Sequence, residues 1–215
     1  MTLNSLAGSG RTILSVVGCH SRCGKTSFVT LLLRDVRGLG CLKISPADDW
    51  GEATPEGAES VGEHYYIEDS ARLRRPGKDT TLYMEAGAAE VKRLTYDRAD
   101  GLAAGLDAAL QRFPPTMPTV VESSSAVLML RPVAVVLVVR PPLREMKPGT
   151  EAILSRVTDL LVNAPDTEGI ARATAEQLCH QFPSLRPRFT WFADLRSGPL
   201  PQPMLTRFKK LLARP

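Results

Sequence analysis

The stretch of residues 18–26, which reads Gly-Cys-His-Ser-Arg-Cys-Gly-Lys-Thr, limits the fold of this chain more than any other feature. Apolar residues 13–17 precede it and amphipathic residues 27–33 follow it, so it is predicted to join a buried strand to a helix. The amides of such a turn point at one place, where the helix dipole and the Lys25 ammonium favour an anion. The stretch therefore predicts a phosphate-binding loop, in which Lys25 reaches the β- and γ-phosphates of a nucleoside triphosphate and Thr26 ligates its Mg²⁺.

The spacing of this loop differs from the Walker A pattern G-x-x-x-x-G-K-[ST], which would put its first glycine at Cys19 rather than at Gly18. Either Cys19 occupies the first-glycine position, or the loop is one residue longer than the pattern. The longer form is similar to the loop of dethiobiotin synthetases. The residues expected to contact the phosphates are Gly18, Cys23, Gly24, Lys25, Thr26 and Ser27.

Size and composition predict one globular domain over residues 1–215. Hydrophobic residues make up 43% of the chain and charged residues 23%, which is typical of a protein with a sizeable core. The longest apolar run, 133–139, is too short to cross a bilayer and the N-terminus lacks a signal-peptide pattern, so we expect a cytoplasmic protein without membrane contact. A net charge of +4 spread along the chain, with 6% aromatic residues, argues against nucleic-acid binding.

Hydrophobic periodicity and Gly/Pro punctuation predict alternating strands and helices. Strands are expected at 11–17, 40–44, 91–96, 119–122, 133–139, 159–162 and 189–192, and helices at 25–36, 79–90, 98–113, 150–156, 167–182 and 202–212, with a short helix ending at 130. Residues 46–78, rich in glycine and proline, are expected to form a loop-rich excursion over the carboxyl edge of the sheet. This order predicts an α/β fold, a doubly wound and mostly parallel sheet with helices on both faces and ligands at the strands' carboxyl ends.

Carboxylates at this sheet edge are candidates for metal binding and catalysis. Glu122 ends an apolar strand, where a buried charge is costly unless a cation such as Mg²⁺ compensates it; alternatively it caps the next helix with serines 123–125. Asp48 or Asp49 could ligate the same ion or orient a water toward the γ-phosphate, although loop acids are usually only solvated. The predicted catalytic residues are Lys25, Glu122 and Asp48, and the predicted metal ligands are Thr26, Glu122 and Asp48.

The pair Asn163 and Asp166 has the spacing of the guanine-reading N-K-x-D element of GTPases, with Ala164 where lysine is usual. An aspartate that accepts hydrogen bonds from guanine N1–H and N2–H rejects adenine, which has no such donor pair. The same residues also suit a helix start with Asp166 as its cap. The sequence thus predicts GTP or ATP as the nucleotide, with guanine favoured over adenine.

Cys19, His20 and Cys23 allow a metal or redox interpretation, because thiols beside a helix N-terminus have lowered pKa values. A loop closed around phosphates leaves little room for a tetrahedral metal site, and no second pair supplies further ligands. The alternative is that small side chains are simply tolerated in the loop.

The order of these elements resembles the MobB-type P-loop proteins of molybdopterin-guanine dinucleotide biosynthesis, over roughly residues 10–165. The matching segments after the first loop are Leu42-Lys43, Gly77-Lys78-Asp79-Thr80, Glu85-Ala86-Gly87-Ala88, and Val121-Glu122 before Leu130-Arg131-Pro132. The resemblance implies a homodimer that binds GTP, hydrolyses it weakly and assists a molybdenum-cofactor biosynthesis enzyme. It also implies phosphates at Gly24, Lys25 and Thr26, Mg²⁺ near Thr26 and Glu122, and a pterin- or substrate-facing role for Lys43 and the 78–80 turn.

Three functions are therefore open. The first is an NTP-dependent accessory protein for metal-cofactor maturation, in which slow hydrolysis acts as a switch and Lys25 with Mg²⁺ neutralises charge on the β/γ bridge. The second is a synthetase or kinase of the dethiobiotin-synthetase type, which transfers the phosphoryl group to a small molecule. The third is a protein that binds nucleotide only as a structural ligand.

Overall fold

The computed structural model describes residues 10–47, 59–71, 73, 77–143, 145–146 and 149–213. In these ranges the strands are β1 Ile13–Gly18, β2 Gly40–Pro46, β3 Glu59–Gly62, β4 Tyr65–Asp69, β5 Glu90–Tyr96, β6 Thr119–Glu122, β7 Ala134–Val139, β8 Asp159–Asn163 and β9 Phe189–Ala193. The α-helices are α1 Lys25–Asp35, α2 Asp79–Glu85, α3 Ala99–Gln111, α4 Ile170–Gln181 and α5 Gln202–Leu212, and short 3₁₀ helices cover Val127–Met129 and Glu151–Arg156. The longest described helix, α3, has 13 residues, so none of the described helices has the roughly 20 that a bilayer crossing needs.

All nine described strands form one sheet in the order β3-β4-β5-β2-β6-β1-β7-β8-β9. The pairs from β5 to β9 are parallel, whereas β4 is antiparallel to β5 and β3 is antiparallel to β4. From β1 the chain winds first toward β2 and β5 and later toward β7, β8 and β9. The loop after β1 therefore lies where the winding direction reverses, which is where ligand crevices form in such sheets.

The sheet has a hydrophobic core on each face. Adjacent residues of β6 separate the two cores, because Val120 packs in the one that contains Phe28 of α1 and Val121 packs in the one that contains Leu106 of α3. This alternation follows from the two-residue period of a strand. The α/β class predicted from the sequence, with helices on both faces of a mostly parallel sheet, is confirmed.

Two segments differ from the sequence expectations. Part of the expected 46–78 excursion forms β3 and β4, which extend the sheet as an antiparallel pair beyond β5. The helix expected over 79–90 ends at Glu85, because Gly87 adopts a left-handed φ of 94° and the Ala88 amide donates to the carbonyl of Tyr83. The early end lets β5 begin at Glu90.

Candidate functional site

The loop between β1 and α1 presents the start of α1 to the carboxyl edge of the sheet. Every residue of β1 is buried, and Gly24 turns the chain into the helix with φ 110°. The N-cap residue, Gly24, has no side chain that could cap the helix. The first amides of α1 therefore receive no hydrogen bond from an N-cap side chain, and anion binding by these amides stays a prediction.

Gly18 is packed against two side chains of the loop. A Cβ atom at this position would lie 2.6 Å from the Cys23 Sγ, 2.9 Å from the Lys25 Cδ and 3.0 Å from the Lys25 Nζ. Only glycine leaves room for these groups, so Gly18 has the close-approach role expected of a first loop glycine. This supports the longer of the two loop spacings that the sequence allowed.

Asn163, at the end of β8, holds the loop in place. Its Nδ2 donates to the Cys23 carbonyl at 3.0 Å, and its Oδ1 accepts from the Leu195 amide at 3.1 Å. Asn163 is buried, so both hydrogen bonds are shielded from water. The sequence assigned Asn163 to the nucleotide base, and it did not anticipate this link between the loop and the segment after β9.

Asp166 lies on the surface at the start of α4. Its carboxylate accepts the amide hydrogens of Glu168, Gly169 and Ile170 at 3.1, 2.9 and 3.1 Å. The amide hydrogen bonds of Gly169 and Ile170 lower the pKa of Asp166. The structure thus has Asp166 in the helix-capping role that the sequence also allowed, while guanine recognition by this residue stays a prediction.

The negative charge of Glu122 is compensated by Lys43, a lysine of the neighbouring strand. Glu122 ends β6 with 1% of its side chain exposed, and Lys43 is its register partner on β2. The Lys43 Nζ donates to the Glu122 Oε1 at 2.6 Å, and the Tyr83 hydroxyl donates to the other carboxylate oxygen. Register places the Lys43 ammonium beside the carboxylate, so Lys43 compensates the buried charge of Glu122, and Mg²⁺ binding by Glu122 stays a prediction.

Asp79, the first residue of α2, joins this ion pair to the loop. Its Oδ2 lies 2.9 Å from the Lys43 Nζ, and its carboxylate is hydrogen-bonded to the Thr26 side chain. Asp79 is thus a described carboxylate that contacts Thr26, the predicted Mg²⁺ ligand, and the sequence analysis did not count it among the metal ligands. Asp48 itself lies outside the described residues.

Burial and neighbouring charges determine the ionisation of Lys43, Asp79 and Tyr83. Burial favours the neutral form of Lys43, but the carboxylates of Glu122 and Asp79 outweigh it and raise the pKa of Lys43. Burial likewise opposes ionisation of Asp79, but Lys43, the Thr26 hydrogen bond and the charge of Lys25 lower its pKa. Burial and the nearby Glu122 charge raise the pKa of Tyr83, so it stays a neutral donor. At neutral pH the site holds charged Lys43 and Asp79 side by side.

A cavity of about 450 Å³ opens beside the loop. Thr26 and Ser27 line one side of it, and residues 195–199 after β9 line the other. Because the Asn163 hydrogen bonds fix both sides relative to each other, the cavity beside the loop of residues 18–26 is pre-formed.

The imidazole of His20 faces two backbone carbonyls. The two ring nitrogens of His20 lie 2.8 Å from the Ser21 carbonyl and 3.2 Å from the Arg140 carbonyl. In the part of the chain that the structure describes, no group of three or more His, Cys, Asp or Glu side chains is arranged to hold a metal ion.

Comparison with protein-family models gives no match, and neither does comparison with curated proteins. Among solved structures, the chain is similar to a crystal structure of a Zn(II)-bound triple mutant of the YjiA GTPase, with a TM-score of 0.48 and 10% sequence identity. That match covers 93% of this chain and 62% of the other, so this chain spans less than two thirds of its length. The description of the site therefore depends on its own geometry.

Comparing alanine at Gly24 with alanine at Gly38 tests the packing of the loop. Both glycines have positive φ, so both substitutions strain the backbone by about 1–2 kcal/mol. A Cβ at Gly24 would also lie 2.5 Å from the Asn163 Nδ2, whereas one at Gly38 would meet no described atom within 4 Å. We expect Gly24→Ala to lower the free energy of unfolding by about 1–2 kcal/mol more than Gly38→Ala, because it also breaks the Asn163 hydrogen bonds. Urea denaturation measures both, and equal losses would contradict the close packing.

Proposed function

We propose that this protein binds a magnesium–nucleoside triphosphate on the loop of residues 18–26 and hydrolyses it slowly. The observation that carries the proposal is the glycine N-cap of α1, with Lys25 folded across Gly18 and Thr26 hydrogen-bonded to Asp79. The amides and the Lys25 ammonium would bind the phosphates, and the cavity beside Thr26 and Ser27 has room for the nucleoside.

The residues around Thr26 suit Mg²⁺. A hydroxyl and a carboxylate are hard oxygen donors, which are the ligands that this ion prefers. Thr26 and Asp79 would hold the ion, and when bound it supplies positive charge against the β- and γ-phosphates. Lys43 positions Asp79 through their 2.9 Å ion pair, and Glu122 and Tyr83 in turn position Lys43. In this proposal Glu122 acts on the metal site through Lys43 and Asp79.

The identity of the nucleotide, and of the enzyme that this protein assists, are narrower parts of the proposal. The segment after β9, which Asn163 ties to the loop, lines the cavity beside Thr26 and could contact a purine, so GTP and ATP are both candidate ligands. The resemblance to the MobB-type proteins supports a role as a homodimeric accessory factor that works with a molybdenum-cofactor biosynthesis enzyme. A fold that changes with nucleotide state at α2 would suit such a switch, because Asp79 begins that helix.

The proposal is tested by titrating the full chain with GTP, ATP and GDP, each with and without Mg²⁺, by calorimetry. We expect at least one triphosphate to bind more tightly with Mg²⁺ than without it, and slow phosphate release in the same sample. If none of the nucleotides binds at millimolar concentration, the proposed function is wrong.

Asp79→Asn tests the metal part of the site. Removing one carboxylate charge near the ion is expected to weaken the Mg²⁺-dependent part of triphosphate binding about tenfold, because an amide oxygen is a weaker ligand than a carboxylate. Binding without Mg²⁺ is expected to change little. The matched control is Asp100→Asn, which removes an exposed acid from the first turn of α3. Equal Mg²⁺ dependence in both variants would remove Asp79 from the proposed metal site.

A further inference from the structure

A second cavity, of about 250 Å³, lies where the loop after β1 meets the segment after β7. Its walls are residues 20–22 of the loop and residues 140–142. It shares no lining residue with the cavity beside Thr26, so the proposed nucleotide binding leaves it unused. Pockets for drug-sized ligands measure roughly 300–1,000 Å³. This cavity therefore suits a small ligand or one end of a larger molecule.

Two arginines without a counter-ion line this cavity. Arg22 is exposed and Arg140 is half-buried, and among the described residues neither side chain has an ion pair or a hydrogen bond. The described lining includes no carboxylate. The charges of Asp194 and Arg140 interact, but Asp194 does not line the cavity. Its carboxylate instead accepts the Arg196 amide at 3.0 Å and the Ser197 hydroxyl at 2.6 Å. The cavity thus presents positive charge that a bound anion would neutralise.

Contacts of the loop hold the two walls of this cavity together. The ring nitrogens of His20 lie 2.8 Å from the Ser21 carbonyl and 3.2 Å from the Arg140 carbonyl, so the imidazole bridges the walls. The Cys19 amide donates to the Val138 carbonyl at 3.3 Å beside it. His20 is buried, so its contacts are shielded from water. Because the two segments are already in place, little chain ordering would oppose binding of a ligand.

The backbone of Arg22 is strained. Its φ of 61° lies in the left-handed region, and within the described ranges it is the only non-glycine residue with a positive φ. This conformation costs energy for a residue with a Cβ atom and little for glycine. Strained residues of this kind are concentrated at ligand sites, where the position of a side chain matters more than stability. A binding role for the Arg22 guanidinium would explain why an arginine is held in this conformation.

We propose that this cavity binds an anionic small molecule other than the nucleotide, through a phosphate or carboxylate group held by Arg22 and Arg140. A guanidinium donates parallel N–H bonds whose spacing matches both kinds of oxyanion. The site is separate from the α1 amides and Lys25, which are proposed to bind the nucleotide phosphates. The inference therefore does not depend on the proposed function.

The experiment titrates the full chain by calorimetry with inorganic phosphate and, separately, with succinate, at an ionic strength held constant with chloride. Because phosphate could also bind beside Lys25, the reference protein is Lys25→Ala. We expect this variant to bind at least one of the two anions with a millimolar dissociation constant. Arg22→Gly and Arg140→Met, each added to Lys25→Ala, are expected to weaken that binding at least about tenfold. The matched control, Arg98→Met in the same background, removes an exposed guanidinium and is expected to leave the affinity unchanged.

Melting without added anion separates a binding role of Arg22 from a structural one. Since glycine adopts a φ of 61° at little cost, Arg22→Gly alone is expected to melt about 2 °C above the wild-type protein. An arginine that stabilises the loop would give the opposite sign when it is replaced. A lower melting temperature for Arg22→Gly would therefore overturn the assignment of Arg22 as a ligand-binding residue.

The two anions distinguish the sources of the ligand. Tighter binding of phosphate indicates a phosphorylated molecule, and tighter binding of succinate indicates a carboxylic acid; both results support the site. The inference is wrong if Lys25→Ala binds neither anion at tens of millimolar, or if Arg98→Met weakens binding as much as Arg22→Gly and Arg140→Met do. If the wild-type protein binds no triphosphate while Lys25→Ala still binds an anion, the proposed function fails and this second site stands.

Discussion

Replacing Lys25 with alanine is expected to weaken binding of the magnesium–triphosphate by about a hundredfold or more. Lys25 opens α1, and its Nζ lies only 3.0 Å from the position of a Cβ on Gly18, so the ammonium is held over the loop rather than in solvent. A charge-assisted bond from an ammonium to phosphate contributes roughly 3 kcal/mol, which is about a hundredfold in affinity. Phosphate release is expected to fall at least as far, because charge on the β/γ bridge grows during hydrolysis.

The control for Lys25→Ala is Lys210→Ala, which removes the same charge from an exposed position of α5. Calorimetric titration with GTP and ATP gives the affinities, and thermal melting of the nucleotide-free variants shows whether the fold is intact. We expect both variants to melt near the wild-type temperature. Wild-type affinity in Lys25→Ala would mean that the loop does not bind phosphate.

Those parts of the fold that depend on local pattern could be predicted from the sequence. The apolar run at 133–139 is β7 to within one residue, and the amphipathic segment after the loop is α1. The strands β3 and β4 could not be predicted, because β4 is a strand through its pairing with β5, and β3 through its pairing with β4, rather than through local pattern alone. The end of α2 at Glu85 could not be predicted either, because it depends on the left-handed conformation of Gly87.

In the candidate site, too, local features could be predicted from the sequence and contacts between distant residues could not. Residues 18–27 form a contiguous motif, so their place at a strand-to-helix turn followed from spacing alone. The contact of Lys43 with Glu122 depends on the register of β2 against β6, and that of Asn163 with Cys23 joins residues 140 positions apart. The sequence offered Lys43, Asp79 and Glu122 separately as polar residues at the sheet edge. It could not show that Lys43 lies beside Glu122.

The buried ion pair of Lys43 and Glu122 leads to the largest expected effect on stability. Lys43→Met leaves the Glu122 carboxylate, which is 1% exposed, without its cation and, among the described residues, with the Tyr83 hydroxyl as its remaining side-chain partner. Removing one member of a buried pair costs about 3–5 kcal/mol, because the remaining charge has lost both water and counter-ion. We expect a loss of about 3 kcal/mol in the free energy of unfolding, measured by urea denaturation, since Lys43 itself is partly exposed.

The double variant Lys43→Met/Glu122→Gln separates the charge effect from lost packing. Glutamine has nearly the shape of glutamate, carries no charge and still offers an oxygen to the Tyr83 hydroxyl, so the double variant is expected to recover most of the stability that Lys43→Met loses. Arg98→Met is the matched surface control, because Arg98 and Asp100 form an ion pair in which both side chains are more than 60% exposed, and a loss below about 1 kcal/mol is expected there. If the double variant is as unstable as Lys43→Met alone, the loss comes from the packing of the lysine stem. Glu122 would then not need a cation at this position, and the chain of contacts from Glu122 through Lys43 to Asp79 would lose its electrostatic basis.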